Sequence, residues 1–187
     1  MPSPPSLSII VPTLNAAATL DTCLTALAEY KPAQAVIVVD GGSSDDTVQI
    51  AKQHGATVMT APRGRGSQLA VGANAAIGNW LLFLHADTQL MPGWVSEIGA
   101  FIADKRNSHT AAVFTLALDD ERLSARWVEW ISATRTKILA LPYGDQGLLI
   151  SRELYNSVGG FKPIAIMEDV DIARRLGRKR IQPAFPG

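Results

Sequence analysis

Three apolar stretches of this chain end in polar residues whose types suit a bound ligand. Ser6 to Val11 runs into Pro12-Thr13-Leu14-Asn15, Ala35 to Val39 into Asp40-Gly41-Gly42-Ser43, and Trp80 to Leu84 into His85-Ala86-Asp87-Thr88. Short continuous apolar runs read as strands buried on both faces. Packing does not ask for a carboxylate where such a strand stops. Each group alone reads as an ordinary cap or turn. Three on successive strands should share one sheet edge, where ligands of open parallel sheets bind. Arg63-Gly64-Arg65-Gly66 precedes a helical pattern that starts at Ser67. Guanidinium groups and flexible backbone beside a positive helix end suit phosphate, with a solvated loop as the alternative. Glu168-Asp169 opens a last helix. Acids there also serve simply to satisfy free N–H groups.

The elements that must position these residues alternate. Leu20, Cys23, Leu24 and Leu27 mark one face of a helix over Ala16 to Tyr30. Ser44 reads as the cap of a helix whose first turn carries Asp45 and Asp46, closed by Gly55. A short strand over Thr57 to Thr60, a helix over Ser67 to Ile77 and the strand Trp80 to Leu84 follow. Strand–helix repetition predicts an α/β fold with a mainly parallel sheet. Beyond Pro92 the spacing predicts a helix over Trp94 to Ile102, a strand over Ala111 to Leu118 and a long amphipathic helix over Glu121 to Leu139. It then predicts a strand over Gly147 to Ile150, a helix capped by Ser151 and ended at Gly159-Gly160, and a last helix over Asp169 to Leu176.

Composition excludes several classes. Seventeen basic and seventeen acidic residues cancel, which argues against a nucleic-acid-binding surface. No apolar run reaches the roughly 18 residues of a membrane span, and the N-terminus lacks the basic and apolar regions of a signal peptide. The single cysteine excludes an internal disulfide and fits a reducing, cytoplasmic location. Its phase with Leu20 and Leu24 makes Cys23 a buried thiol. There is no GxxxxGK[ST] phosphate loop, and Leu69 stands where a GxGxxG fingerprint needs its third glycine.

Four stretches together resemble family 2 glycosyltransferases of the GT-A fold. They are Ser8-Ile-Ile-Val-Pro-Thr-Leu-Asn15, Val38-Val-Asp-Gly-Gly-Ser-Ser-Asp-Asp-Thr47, Leu82-Phe-Leu-His-Ala-Asp-Thr88 and Met167-Glu-Asp-Val-Asp-Ile-Ala-Arg-Arg-Leu176. The resemblance runs from Leu7 to about Leu176. PRGRG, HADT, YGDQG and MEDV resemble a small bacterial subgroup, the arsenosugar-type or radical-SAM-associated glycosyltransferases. The resemblance implies a Rossmann-like three-layer α/β/α domain over residues 1–187. Its nucleotide-binding half would span about 7–90 and its acceptor and catalytic half about 91–187. The family commonly runs on past the last helix, so a C-terminal segment beyond Gly187 is expected.

It also implies roles. Pro12, Thr13, Leu14 and Asn15 would wrap the nucleoside of a nucleotide-diphosphate sugar, UDP- or GDP-linked. Asp40, Gly42 and Ser43 would meet the base or ribose, with Gly41 standing where the family has a second acid. Arg65 would meet the diphosphate, with Gln68 in the same nucleotide-binding set. His85, Ala86 and Asp87 match a DXD motif. Asp87 would be the metal ligand, for Mn²⁺ or Mg²⁺, either of which stabilises the departing diphosphate. His85 replaces the first acid of that motif. It would ligate Mn²⁺, hydrogen-bond a ribose or phosphate, or pack. Asp169, beside Glu168, would be the base that deprotonates an acceptor hydroxyl in an inverting transfer. Gly144, Asp145 and Gln146 would face the donor sugar or acceptor, or form a surface turn. The helix carrying Arg126, Trp127, Trp130, Arg135 and Lys137 would cover the acceptor side or touch the inner face of a membrane peripherally. The rival readings are a sugar nucleotidyltransferase, which lacks support because no glycine-rich loop opens the chain, and a nucleotide-sugar binding module without turnover.

Overall fold

The alternating pattern folds into strand–helix units. The structure, a computed structural model, describes residues 6–30, 36–114, 147–164 and 166–185. The first half runs β1 (Leu7–Thr13), α1 (Ala17–Leu27), β2 (Val36–Asp40), α2 (Thr47–Gln53), β3 (Thr57–Thr60), α3 (Arg65–Ala75) and β4 (Trp80–Phe83). The second half continues with α4 (Trp94–Ala103), β5 (Ala111–Phe114), β6 (Leu148–Ser151), α5 (Arg152–Ser157), α6 (Glu168–Leu176) and β7 (Ile181–Phe185). The helix expected over Glu121 to Leu139 and the segment Tyr143 to Gln146 lie outside the described residues.

Among the described residues the strands form one seven-stranded sheet of order β3-β2-β1-β4-β6-β5-β7. Strands β1 to β4 are parallel, β7 is parallel to β5, and β6 runs antiparallel to its neighbours β4 and β5. Alternate side chains of each strand point to opposite faces, and both faces are covered. Ile9, Val11, Val38 and Leu82 pack under α1, α2 and α4. Ile10, Val39, Leu81 and Phe83 pack under α3, α5 and α6. This is why the strands read as unbroken apolar runs. The chain leaves β1 for β2 and β3 on one side and returns through β4 on the other. That reversal opens a crevice outside the carboxyl ends of β1 and β4.

Several boundaries differ from the sequence expectations. β1 does not stop before Pro12 but continues to Thr13. Ile10 O accepts from Leu84 N and Thr13 O from Gly41 N, so alternation turns the ring nitrogen of Pro12 toward the β4 side. Residues of β1 pair with β4 only up to Ile10, so no ladder partner is lost there. α2 begins at Thr47 rather than after Ser44; Asp46 stands at its N-cap without a side-chain cap, and the N–H of Thr47 is taken by Asp45 Oδ1 at 3.1 Å. α3 begins at Arg65, two residues earlier than expected. The edge strand β7 has no alternating signal in Ile181-Gln-Pro-Ala-Phe185 and was not expected. Ser151 caps α5 as expected, accepting from Leu154 N at 3.0 Å.

The strand-end turns are stitched together by side chains. Asn15, in the left-handed region at φ 51°, donates its N–H to Ser43 Oγ at 2.8 Å, and its Oδ1 accepts from Ser44 N at 2.8 Å. Thr47 Oγ1 accepts from Ala16 N at 2.7 Å, and Asp45 accepts from Ala17 N at 3.0 Å. Asp40, 3% exposed, anchors this turn. Its Oδ2 accepts from the N–H of Gly42 and Ser43 at 3.0 and 2.9 Å, and its Oδ1 from the hydroxyls of Ser43 and Thr13 at 2.5 and 3.2 Å. Burial pushes the Asp40 carboxyl up, but the hydrogen bonds from Ser43, Gly42 and Thr13 outweigh it and hold its pKa below the ordinary value.

Two outcomes follow from this packing. A Cβ on Gly72 of α3 would stand 2.5 Å from Ile10 Cγ2 and 3.0 Å from Val39 Cγ2. Gly72→Ala should therefore cost about 1–3 kcal/mol by overpacking, read as a lower urea midpoint. Because the folded Asp40 pKa lies below its unfolded value near 3.8, its stabilisation is complete above that value and disappears as pH falls through the folded pKa. Asp40→Asn should lose about 1–3 kcal/mol at pH 7. The gap to wild type should narrow below about pH 4, and an equal gap in urea unfolding at pH 7 and pH 3 would contradict this.

Candidate functional site

The crevice between β1 and β4 is a cleft of about 690 Å³. Its floor and one wall come from Pro12, Thr13, Leu14 and Asn15 after β1, continuing into Ala16 and Thr19 of the turn and helix α1. The facing wall comes from His85, Ala86 and Asp87 after β4. Arg63, Gly64, Arg65 and Gln68, around the start of α3, close the third side. The buried apolar strands are rigid, so the first residues beyond their ends are held where a ligand would meet them.

Arg65 joins the parts of this site. Its Nη1 lies 3.1 Å from His85 Nε2, and its Nε lies 2.9 Å from Glu168 Oε1. A guanidinium only donates, so in this contact His85 is the acceptor at Nε2. The Nε2 lone pair is thereby engaged by Arg65, and direct metal ligation through it would require Arg65 to move. Arg65 is about half exposed (46%) on the cleft side, while the Glu168 side chain is 1% exposed. The pair stands between the positive end of α3 and the first turn of α6. Gly66 makes the approach of these elements feasible, because a Cβ there would lie 2.3 Å from Lys162 O and 2.6 Å from Ile164 O.

Asp87 is exposed at the cleft wall, with no hydrogen bond or ion pair to its carboxylate among the described residues. Its charge is felt by Cys23. Burial first, and the Asp87 charge second, push the Cys23 thiol up to about 12, so this thiol is not a nucleophile at neutral pH. Among the described residues no three His, Cys, Asp or Glu side chains gather as a metal cage. One free carboxylate in the same cleft as the Arg63 and Arg65 guanidinium groups nonetheless fits a hard divalent cation whose remaining ligands would be oxygens of a bound anion and waters.

Beside the cleft, behind His85, lies a small apolar hole of about 40 Å³ lined by Leu84, Phe161, Glu168, Asp169 and Ile172 among others. Glu168 Oε2 is buried there without a hydrogen-bond partner among the described residues. A buried oxygen of this kind calls for a donor. Asp169 is half-buried at the head of α6, and its Oδ1 accepts from Val170 N at 2.7 Å. Farther along α6, Asp171 is held by Lys162 at 3.2 Å and by Arg175 at 2.5 Å, which gives Arg175 a structural partner.

The structure therefore gathers Pro12, Thr13, Leu14, Asn15, Arg65, Gln68, His85, Ala86 and Asp87 at one cleft, with Glu168 and Asp169 at its flank. Asp40, Gly42 and Ser43 are not among the cleft-lining residues; they build the turn behind it. Gly144, Asp145 and Gln146 lie outside the described residues. Sequence reasoning did not single out Thr19 or the Arg65–Glu168 pair. Thr19 carries no local signal, and the pair joins residues more than a hundred positions apart. No helix among the described residues is long and apolar enough to cross a membrane.

Known proteins are similar to this chain in sequence or in fold. A PGL/p-HBAD biosynthesis glycosyltransferase of Mycobacterium bovis is 34% identical over 113 residues, covering 56% of this chain and 44% of its own. An uncharacterized glycosyltransferase of Mycobacterium tuberculosis is 34% identical over 97 residues, 51% of this chain and 43% of its own. The matched part thus spans less than half the length of these curated relatives. Among solved structures, glucosyl-3-phosphoglycerate synthase from Mycobacterium tuberculosis in complex with Mn²⁺, UDP and glucosyl-3-phosphoglycerate superimposes with a TM-score of 0.68. It is 21% identical, over 97% of this chain and 70% of that one. The same enzyme with Mg²⁺ and UDP gives 0.66 at 22% identity, over 97% and 69%. Likeness at this identity shows the fold, a mainly parallel α/β sheet of GT-A type. The sequence profile of glycosyl transferase family 2 matches residues 8–156, well over half of the chain, and the chain belongs to that family.

Proposed function

We propose that this chain transfers a sugar, of hexose type, from a nucleoside-diphosphate donor to an acceptor hydroxyl, with inversion and with the help of a divalent cation. The observation that carries this reading is the convergence on Arg65. One guanidinium touches both His85 at the end of β4 and Glu168 at the head of α6, in the cleft that also holds Asp87. The relatives named above that bind UDP with Mn²⁺ or Mg²⁺ support the donor class. UDP or GDP is the carrier, and the acceptor is a hydroxyl compound.

In this reading Pro12 to Asn15 hold the nucleoside, and Arg63 and Arg65 neutralise the diphosphate beside the N-terminus of α3. Asp87 is the protein ligand for Mn²⁺ or Mg²⁺, which when bound supplies Lewis-acid stabilisation of the departing diphosphate. The acceptor oxygen bonds to the anomeric carbon as the bond from that carbon to the diphosphate oxygen breaks. The electron pair leaves with the diphosphate, and Asp169 takes the acceptor proton. Glu168 keeps Arg65 in place. The PRGRG, HADT and MEDV stretches support placing the chain with the arsenosugar-type or radical-SAM-associated subgroup. A lone buried thiol fits the cytoplasm as the location, with peripheral contact at the inner face of the membrane.

Calorimetry with UDP and GDP, with and without Mn²⁺, tests the reading directly, and absence of binding by either nucleotide would overturn it. Asp87→Ala should abolish the strengthening of nucleotide binding by Mn²⁺. Persistence of that strengthening would remove Asp87 as the ligand. Asp169→Asn should keep donor affinity while lowering transfer by about 10²–10⁴-fold. Unchanged transfer would remove Asp169 as the base.

A further inference from the structure

Gln68 is 3% exposed, yet it lines the cleft. Its Nε2 donates to Thr13 O at 2.7 Å and to Val39 O at 2.8 Å. A primary amide carries two N–H donors, so both are engaged. Two carbonyl partners also fix which end of the amide is nitrogen. Oε1 then has no hydrogen-bond partner among the described residues. It is not one of the oxygens sealed from solvent, and the surface that Gln68 presents is the cleft wall. The fold therefore holds an oriented acceptor, with no donor beside it, one helical turn behind Arg65.

Two neighbouring observations sharpen what this acceptor meets. Asp40, the acid that the motif would assign to the base, has both oxygens filled by two donors each. A carboxylate offers about four lone-pair sites, so none remains. Gly41 has no side chain to offer, and a Cβ there would stand 3.0 Å from Gln68 Nε2 and 3.3 Å from its Cδ. Gln68 thus fills the space in front of Gly41. A phosphate, being all acceptor, does not suit a bare amide oxygen, and Arg63 and Arg65 stand ready for it at the mouth of the cleft.

We infer that Gln68 Oε1 reads the nucleobase of the donor by accepting a hydrogen bond from a ring N–H, selecting uracil or guanine over cytosine or adenine. This assignment rests on the nucleotide-sugar reading of the cleft. Uracil N3 and guanine N1 carry such a hydrogen, whereas cytosine N3 and adenine N1 present a lone pair that would face Oε1 without one. Methylating the ring nitrogen has the same consequence and keeps the rest of the nucleotide intact.

The test is calorimetry of the wild-type chain with Mn²⁺, comparing UDP with N3-methyl-UDP and GDP with N1-methyl-GDP. Methylation should weaken the tighter-binding nucleotide by about tenfold or more, since a desolvated acceptor loses its donor. Gln68→Met keeps the side-chain length and removes the acceptor; methylated and unmethylated nucleotides should then bind it equally tightly. Gly41→Ala, which crowds the amide without removing it, should reduce the discrimination and guards against a Gln68→Met chain that fails to fold. Binding of unmethylated nucleotide that ignores methylation overturns the role of Gln68 and leaves the donor class standing. A penalty from 2′- or 3′-deoxygenation in place of methylation also overturns it, by giving Oε1 a ribose hydroxyl as partner. Failure of both UDP and GDP to bind overturns the reading of the cleft itself.

Discussion

A carboxylate that is almost wholly removed from water has to be paired, and the pairing of Glu168 with Arg65 at 2.9 Å organises this molecule around its cleft. Arg65 starts α3 and Glu168 starts α6, so the ion pair pins two helix ends to one point. The same guanidinium reaches His85 beyond β4. The residue types around the pair follow from it. Gly66 has to be a glycine because the backbone before α6 lies against it. Because the exposed side of Arg65 is the cleft side, the charge that stabilises the buried acid is also available to an incoming anion. One side chain thus pairs the buried acid and keeps part of its charge open to the cleft.

The turn after β2 answers a different constraint. Backbone N–H groups that leave a buried strand end need acceptors, and Asp40 supplies them for Gly42 and Ser43 while tying Thr13 of β1 to β2. Asn15 and Asp45 do the same for Ser44 and Ala17. The polar residues of the second motif therefore hold two strand ends in register, while the cleft itself is lined by residues beside them. Gln68 belongs to both groups. Its nitrogen closes the strand ends, and its oxygen faces the cleft.

Most of the architecture was legible in the chain. Strands β2 and β4 appear as short apolar runs, β3 as a short β-branched stretch, α1 as a stripe of Leu20, Cys23, Leu24 and Leu27, and the cap at Ser151 as a serine before a helical pattern. These are local features, set by side-chain periodicity and by the demand of each helix end for an acceptor. The local rules failed where a neighbour supplied the missing group. Pro12 did not end β1, because its ring nitrogen faces the side where β4 no longer pairs. α2 starts at Thr47, not after Ser44, because the Asp45 side chain folds onto the N–H of Thr47 and holds the turn before it. β7 is a strand because β5 offers it a partner.

The sequence by itself determined the class of fold, the family and the set of strand-end residues that could meet a donor. Motif residues and periodicity depend only on neighbours along the chain, which is why they could be read there. Tertiary structure decided which groups of those residues are already engaged within the protein. Asp40 lost its free lone pairs to Thr13, Gly42 and Ser43, His85 gave its Nε2 to Arg65, and Glu168 became the buried partner of a guanidinium more than a hundred positions away. Hydrogen-bond capacity is finite and burial is a property of the packed chain. Which lone pairs and charges remain for a ligand is therefore settled only when distant segments have come together.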